Sequence, residues 1–194
     1  PDALEEEIES IILDKSQIPP IKVGGEVGRI IRSQTAQSDY INYLVNMAED
    51  DLDKSGYKKL DGLRIAVDCS NGSASVTAPK IFMSLCDECY FIASHPNGTN
   101  INEKCGSTHL EILQDFVVRN KCDVGLAFDG DADRCLCVDE LGNVIDGDMI
   151  MAICSLDLMK RGKLNKNTVV GTILSNFGFT KFCEENELKF ISTK

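Results

Sequence analysis

A chain of 194 residues with 43% apolar and 26% charged side chains has the make-up of an ordinary folded protein, which excludes a disordered one. Twenty Lys and Arg against 31 Asp and Glu leave a net charge of −11, and the one dense basic stretch, LMKRGKLNKN at 158–167, is short and broken by Gly162 and Asn165, so no nucleic acid is expected as a partner. No apolar run approaches the roughly 18 residues of a spanning helix, so no membrane partner is expected either, and the chain reads as cytoplasmic.

DALEEEIESIILD, with Leu4, Ile8, Ile11 and Ile12 at helical spacing and glutamates opposite, predicts an amphipathic helix. The prolines and Gly24-Gly25 of SQIPPIKVGG end it, and residues 1–35 are expected to be the tail of a preceding domain with a linker. SDYINYLVNMAEDDLDK predicts a second helix with Tyr40, Ile41, Leu44, Val45, Ala48 and Leu52 on one side and Ser38 as its N-cap.

From Leu60 short apolar runs alternate with helical stretches. LRIAVDC (63–69), ECYFIAS (88–94) and DVGLAF (123–128) read as strands, with a helix from the turn at Asn71 and another over LEILQDFVVRNK. Thr108 and Glu111 have the spacing of a capping box for the latter. Alternating strand and helix is the signature of an α/β layer with parallel neighbours. CLCVDELGN then reads as a strand running into a turn with Gly142 at positive φ, GDMIMAICSLDLMKR as a helix, and NTVVGTILSN, GFTKFCEEN and LKFIST as strand, helix and strand of a second unit starting near residue 162. Pro1 in place of methionine and a closing strand with nothing after it suggest a piece of a longer protein.

Nine cysteines raise the question of zinc or disulfides, and CDEC at 86–89 has a zinc-type gap. No second such pair exists, CLC at 135–137 is wrongly spaced, and His95 and His109 lie apart in sequence. Cys69, Cys122, Cys135, Cys137 and Cys154 sit in apolar segments, so reduced core thiols are expected.

FDGDADR places Asp129, Asp131 and Asp133 at alternate positions directly after a strand. Two unit charges about 4 Å apart repel by roughly 4 kcal/mol at an effective dielectric near 20. Arg134 offsets one charge, whereas a divalent cation taking an oxygen from each carboxylate removes the repulsion. Gly130 and Ala132 are small spacers that let the loop curl inward. A solvated acidic turn would explain the charges but not the alternation. A calcium EF-hand counted from Asp129 finds Leu136 and Glu140 at its eighth and twelfth positions, but Arg134 stands where glycine is required and the flanks read as strands. A magnesium site beside an arginine that grips phosphate remains, and it implies phosphoryl chemistry.

GLAFDGDADR resembles the metal-binding loop of the α-D-phosphohexomutases, and the likeness runs on through LRIAVDCSNGSAS, NGTNINEKCGSTHLE, DELGNVIDGDMIM and NTVVGTILSNFGF. These segments are most similar to the phosphoglucosamine mutase branch, with phosphoglucomutase or phosphomannomutase as the alternative. The resemblance implies a four-domain parent that interconverts glucosamine 6-phosphate and glucosamine 1-phosphate through a phosphoserine and a bisphosphorylated intermediate. It implies Mg²⁺ held by Asp129, Asp131 and Asp133, and Arg134 on a phosphate of the phosphorylated hexosamine. Ala132 replaces the family's usual glycine, a change expected to be harmless if φ stays negative. No stretch matches the family's nucleophile motif; Ser94 in ASHPNG follows a strand and is rejected as the phosphoserine, so no catalytic residue is expected within these residues.

The expected fold is therefore a three-layer α/β/α sandwich with a mixed, mostly parallel sheet over 36–161, carrying the metal site, and the start of a further α/β domain over 162–194. Contacts to the parent's other domains are expected. Asp68 and Asn71 read as turn residues, His109 as a surface residue in the first helical turn, and Ser175 to Gly178 as a strand-to-helix turn.

Overall fold

The computed structural model describes residues 1–14, 18–54, 56 and 60–194, which divide into two units, Pro1–Gln34 and Thr35–Lys194. In the first, α1 (Asp2–Leu13) forms where the helical spacing places it, and none of its residues is buried. A single 3₁₀ turn covers Gly24–Glu26.

The second unit opens with α2 (Ala36–Lys54). Ser38 is not its cap: the helix starts two residues earlier, and the Ser38 hydroxyl donates back to the carbonyl of Thr35 at 2.8 Å. Of the expected apolar face Ile41 is buried, while Leu44, Val45, Ala48 and Leu52 are half-buried and Tyr40 is exposed.

Five strands follow: β1 (Arg64–Asp68), β2 (Glu88–Ile92), β3 (Val124–Phe128), β4 (Cys135–Asp139) and β5 (Val144–Ile145), ordered β2-β1-β3-β4-β5. β1 pairs in parallel with β2 and with β3, while β3–β4 and β4–β5 are antiparallel, so all strands but β4 run the same way. α3 (Ala74–Leu85) and α4 (Glu111–Asn120) cover opposite faces. Ile65 and Val67 of β1 pack with Ala74, Ala78 and Phe82 of α3, and Ala66 packs with Leu113 and Val117 of α4, Ala127 and Val138. A strand covered on both faces must be apolar where it is enclosed, which is why Ile65, Ala66 and Val67 form an unbroken apolar run after the exposed Arg64. Burying a side chain such as Leu113, fully enclosed here, contributes about 1.5–3 kcal/mol. The expected α/β/α sandwich with a mixed sheet is present, and α2 packs on α3.

α4 does not use the Thr108–Glu111 capping box. It begins at Glu111 after Leu110, without a side-chain cap, because the preceding loop is drawn to the carboxyl end of β3, where Ser107 N–H donates to Phe128 O at 3.0 Å. His109 accordingly lies ahead of the helix, exposed.

β5 leads into α5 (Gly147–Lys160), capped by Asp146 accepting from Met149 N at 2.9 Å. β6 (Thr168–Thr172), α6 (Phe177–Glu185) and β7 (Lys189–Thr193) follow, the two strands pairing in parallel. Phe179, Cys183 and Leu188 form their core with Met151 of α5. Asn176 caps α6 by accepting from Phe179 N at 2.9 Å, which makes 175–178 the expected strand-to-helix turn. Arg161, just past α5, donates both terminal nitrogens to Asp51 of α2 at 2.9 and 2.7 Å, joined by Lys163 at 3.2 Å. These two cations hold the Asp51 carboxyl well below the usual carboxylate range.

The cysteine expectation holds in part. Cys69 and Cys122 are buried thiols, but Cys135 and Cys154 are exposed and Cys137 is half-buried. Cys86 and Cys89 form a disulfide: α3 ends at Leu85 and β2 begins at Glu88, and that tight turn brings the pair together instead of leaving two reduced core thiols. Among the described residues no helix is long and apolar enough to cross a membrane.

Candidate metal centre

The chain leaves β1 through α3 to reach β2 on one side, then returns through α4 to β3 on the other. The carboxyl ends of β1 and β3 therefore flank the point where the winding reverses, the place where open α/β sheets bind ligands. Three loops meet there: Cys69–Ser73, Ala93–Ser107 and Asp129–Arg134.

Asp129, Asp131 and Asp133 each offer a carboxylate oxygen, and these oxygens all lie within 4.8 Å of one another. Two ligands on one Mg²⁺ are at most about 4.2 Å apart, twice the usual metal–oxygen distance. Only one pair among three octahedral ligands can be that far apart, and the other pairs sit about 3 Å apart, so closure by up to about 2 Å would draw the cluster onto such an ion, which three hard anionic oxygens suit. Asp129 is buried and the other two are exposed. Burial pushes the Asp129 carboxyl up, but hydrogen bonds from the Arg134 amide and guanidinium outweigh it and hold the group at about 2.

Arg134 reaches further than one charge. Its amide donates to Asp129 Oδ1 at 3.0 Å, its Nε and Nη2 to Asp129 Oδ2 at 3.0 and 2.7 Å, and Nε also lies 3.3 Å from Asp133 Oδ1. The guanidinium remains two-thirds exposed. It acts here as counter-ion to two of the three carboxylates.

The EF-hand pattern fails on geometry. The loop is flanked by β3 and β4, not by helices, and Glu140 lies beyond the whole of β4, roughly 16 Å along a strand of five residues.

Ala132 does not keep negative φ. It adopts φ +63°, a left-handed conformation that costs a non-glycine residue about 1–2 kcal/mol. Ala132→Gly is accordingly expected to raise stability by up to about 1 kcal/mol after the added flexibility of the unfolded chain is subtracted, readable as a higher urea midpoint; a lower midpoint would show that the methyl group contributes packing.

What sequence reasoning missed is the support under the loop. Asp68 is fully buried and accepts from Ser70 N through Oδ1 and from Gly106 N through Oδ2, both at 2.8 Å. The Ser70 hydroxyl donates to Phe128 O, and Ser73 N donates to Gly130 O at 2.9 Å. The only signal available was a carboxylate ending an otherwise apolar strand. Asn71 lies in the expected turn after β1, but its side chain reaches across to the loop after β2, accepting from His95 N at 3.1 Å. Ser94 follows β2, with its hydroxyl 3.3 Å from His95 Nδ1. A recess of about 290 Å³ lined by Asn71, Gly72, Ser73, Pro96, Gly98, Asn100 and Ile101 adjoins the aspartate loop, since Gly72 and Ile101 also approach Gly130.

Residues 38–142 match the family model described as phosphoglucomutase/phosphomannomutase, alpha/beta/alpha domain II, and residues 146–194 match that for domain III. The chain is 46% identical over 193 residues to the phosphoglucosamine mutase of Acetivibrio thermocellus and 46% identical over 194 residues to that of Caldanaerobacter subterraneus. All of this chain is covered in each case, and it spans 41% of the length of either relative. In fold it is similar to a phosphoglucomutase/phosphomannomutase family protein of Burkholderia thailandensis (TM-score 0.62, 24% identity, 81% of this chain and 33% of that one). It is also similar to the parafusin phosphoglucomutase of Paramecium (TM-score 0.58, 20% identity, 80% of this chain and 29% of that one).

Proposed function

The chain belongs to the phosphoglucomutase/phosphomannomutase family, and from that membership we propose that it is the cation-holding part of a phosphoglucosamine mutase, a cytoplasmic isomerase that interconverts glucosamine 6-phosphate and glucosamine 1-phosphate. The reaction would run through a phosphoserine and a bisphosphorylated sugar, with the phosphoserine supplied from outside residues 1–194. The observation that carries this reading is the trio of carboxylates within 4.8 Å of one another at the winding reversal; the substrate rests on the names of the relatives.

Asp129, Asp131 and Asp133 would hold Mg²⁺, which when bound offsets charge on a transferring phosphoryl group. Asp129 is ready for this role at neutral pH, because its carboxyl titrates at about 2. With the charges of Asp129 and Asp133 offset in that way, the exposed guanidinium of Arg134 would be free to turn and grip a phosphate as a two-pronged donor.

The test is an assay of the full-length protein on the 6-phosphates of glucosamine, glucose and mannose. A kcat/KM at least about tenfold higher for the amino sugar is expected; a preference for glucose or mannose phosphate would overturn the substrate assignment. Residues 1–194 alone are expected to be inert, and turnover by them would show that the nucleophile lies inside.

A further inference from the structure

We infer that Asp68 is a positioning residue for the metal loop, acting through Ser70 and Gly106 on the backbone around Asp129. The inference rests on the reading of Asp129, Asp131 and Asp133 as a cation site, and it concerns residues that touch no cation.

Asp68 is a buried carboxylate whose recorded hydrogen-bond partners are two backbone amides. Burial pushes its carboxyl up, and the two N–H groups only partly offset that. A buried charge of this kind is costly to keep. An asparagine would fill the same space without the charge, but its NH₂ group would face one of the two N–H donors. Both oxygens must accept at once, and only a carboxylate does that.

What the two bonds secure leads directly to the site. Ser70, held at φ +54°, points its hydroxyl at Phe128 O, and its own carbonyl accepts from Asn102 N at 2.9 Å. Gly106, at φ +78°, fixes the loop from which Ser107 N also reaches Phe128 O at 3.0 Å. On the other side of Asp129, Ser73 N takes Gly130 O at 2.9 Å. The carbonyls immediately before and after the buried ligand are thus both captured by donors from loops that Asp68 ties together. Groups behind metal ligands commonly matter 10- to 100-fold in metal affinity because they orient those ligands.

The test is Asp68→Asn, read by amide hydrogen exchange and by Mn²⁺ affinity from electron paramagnetic resonance on the 194-residue chain. We expect protection at Ser73, Ser107 and Arg134 to fall at least about tenfold, protection at Val117 to hold, and Mn²⁺ affinity to drop about 10- to 100-fold. Unchanged protection in the three loop amides would overturn the inference. So would an equal loss at Val117, which would make Asp68 a general stability residue. If the unsubstituted chain binds no Mn²⁺ while the variant still loses loop protection selectively, the cation reading falls and the positioning role stands. Should Asp68→Asn fail to fold, Ser70→Ala removes the hydroxyl from Phe128 O alone; it must show the same selective loss, and its absence would equally overturn the inference.

Discussion

Replacing Asp131 with Asn in the full-length protein is expected to cut turnover at least about a hundredfold, while the urea midpoint shifts by no more than about 0.5 kcal/mol equivalent. The two effects separate because Asp131 is exposed, so little in the fold leans on it. Removing one of three neighbouring negative charges also relieves repulsion in the absence of cation. Asp129 would be a poorer choice: it accepts three hydrogen bonds from Arg134, and its loss would unsettle the loop as well as the site. The folded carboxyl of Asp129 is depressed to about 2 from an ordinary value near 3.8. Its contribution to stability is therefore present in full above about pH 4 and lost as pH falls through about 2. A turnover measurement for Asp131→Asn within twofold of the unsubstituted enzyme would remove the metal assignment.

Gly106→Ala is expected to be the most damaging small substitution in the sandwich, lowering stability by about 3–5 kcal/mol. A β-carbon there would stand 1.7 Å from Ser70 Oγ and 2.6 Å from Phe128 O, and the residue sits at φ +78°. The hydroxyl could rotate away only by releasing Phe128 O, and the carbonyl belongs to β3, which cannot yield without disturbing its pairing. Strain and overpacking therefore add. Urea unfolding of the chain measures this directly, and a midpoint equal to the unsubstituted chain's would show that the loops are not interlocked as described.

Much of this architecture was legible in the residues. Ile65, Ala66 and Val67, an apolar run after the exposed Arg64, announce a strand buried on both faces, and the even spacing of Asp129, Asp131 and Asp133 announces a cluster of carboxylates, which the fold brings within 4.8 Å of one another. Other features depend on contacts between residues far apart in sequence. Whether Thr108 caps α4 is decided by Phe128, whose carbonyl draws in Ser107. Asp68 ends β1 like any turn-forming aspartate until the loop bearing Gly106 folds over it. Ala132 occupies a left-handed turn that its side chain disfavours, so local preference pointed the wrong way. Cys135, at the start of β4, is exposed, which the apolarity of its neighbours in sequence did not reveal.

The parallel pairing of β1 with β3 sets Ile65 opposite Val124, whereas β3 and β4 are joined by the short aspartate loop and pair as a hairpin. Local closures form quickly, and long ones are slow because their chain entropy is lost before any contact compensates. The three carboxylates are thus gathered early by a nearby hairpin, but the clasp around Asp129 closes only when β1 arrives. The clasp around the aspartate loop is therefore expected to form late in folding, with the slowest pairing in the sheet.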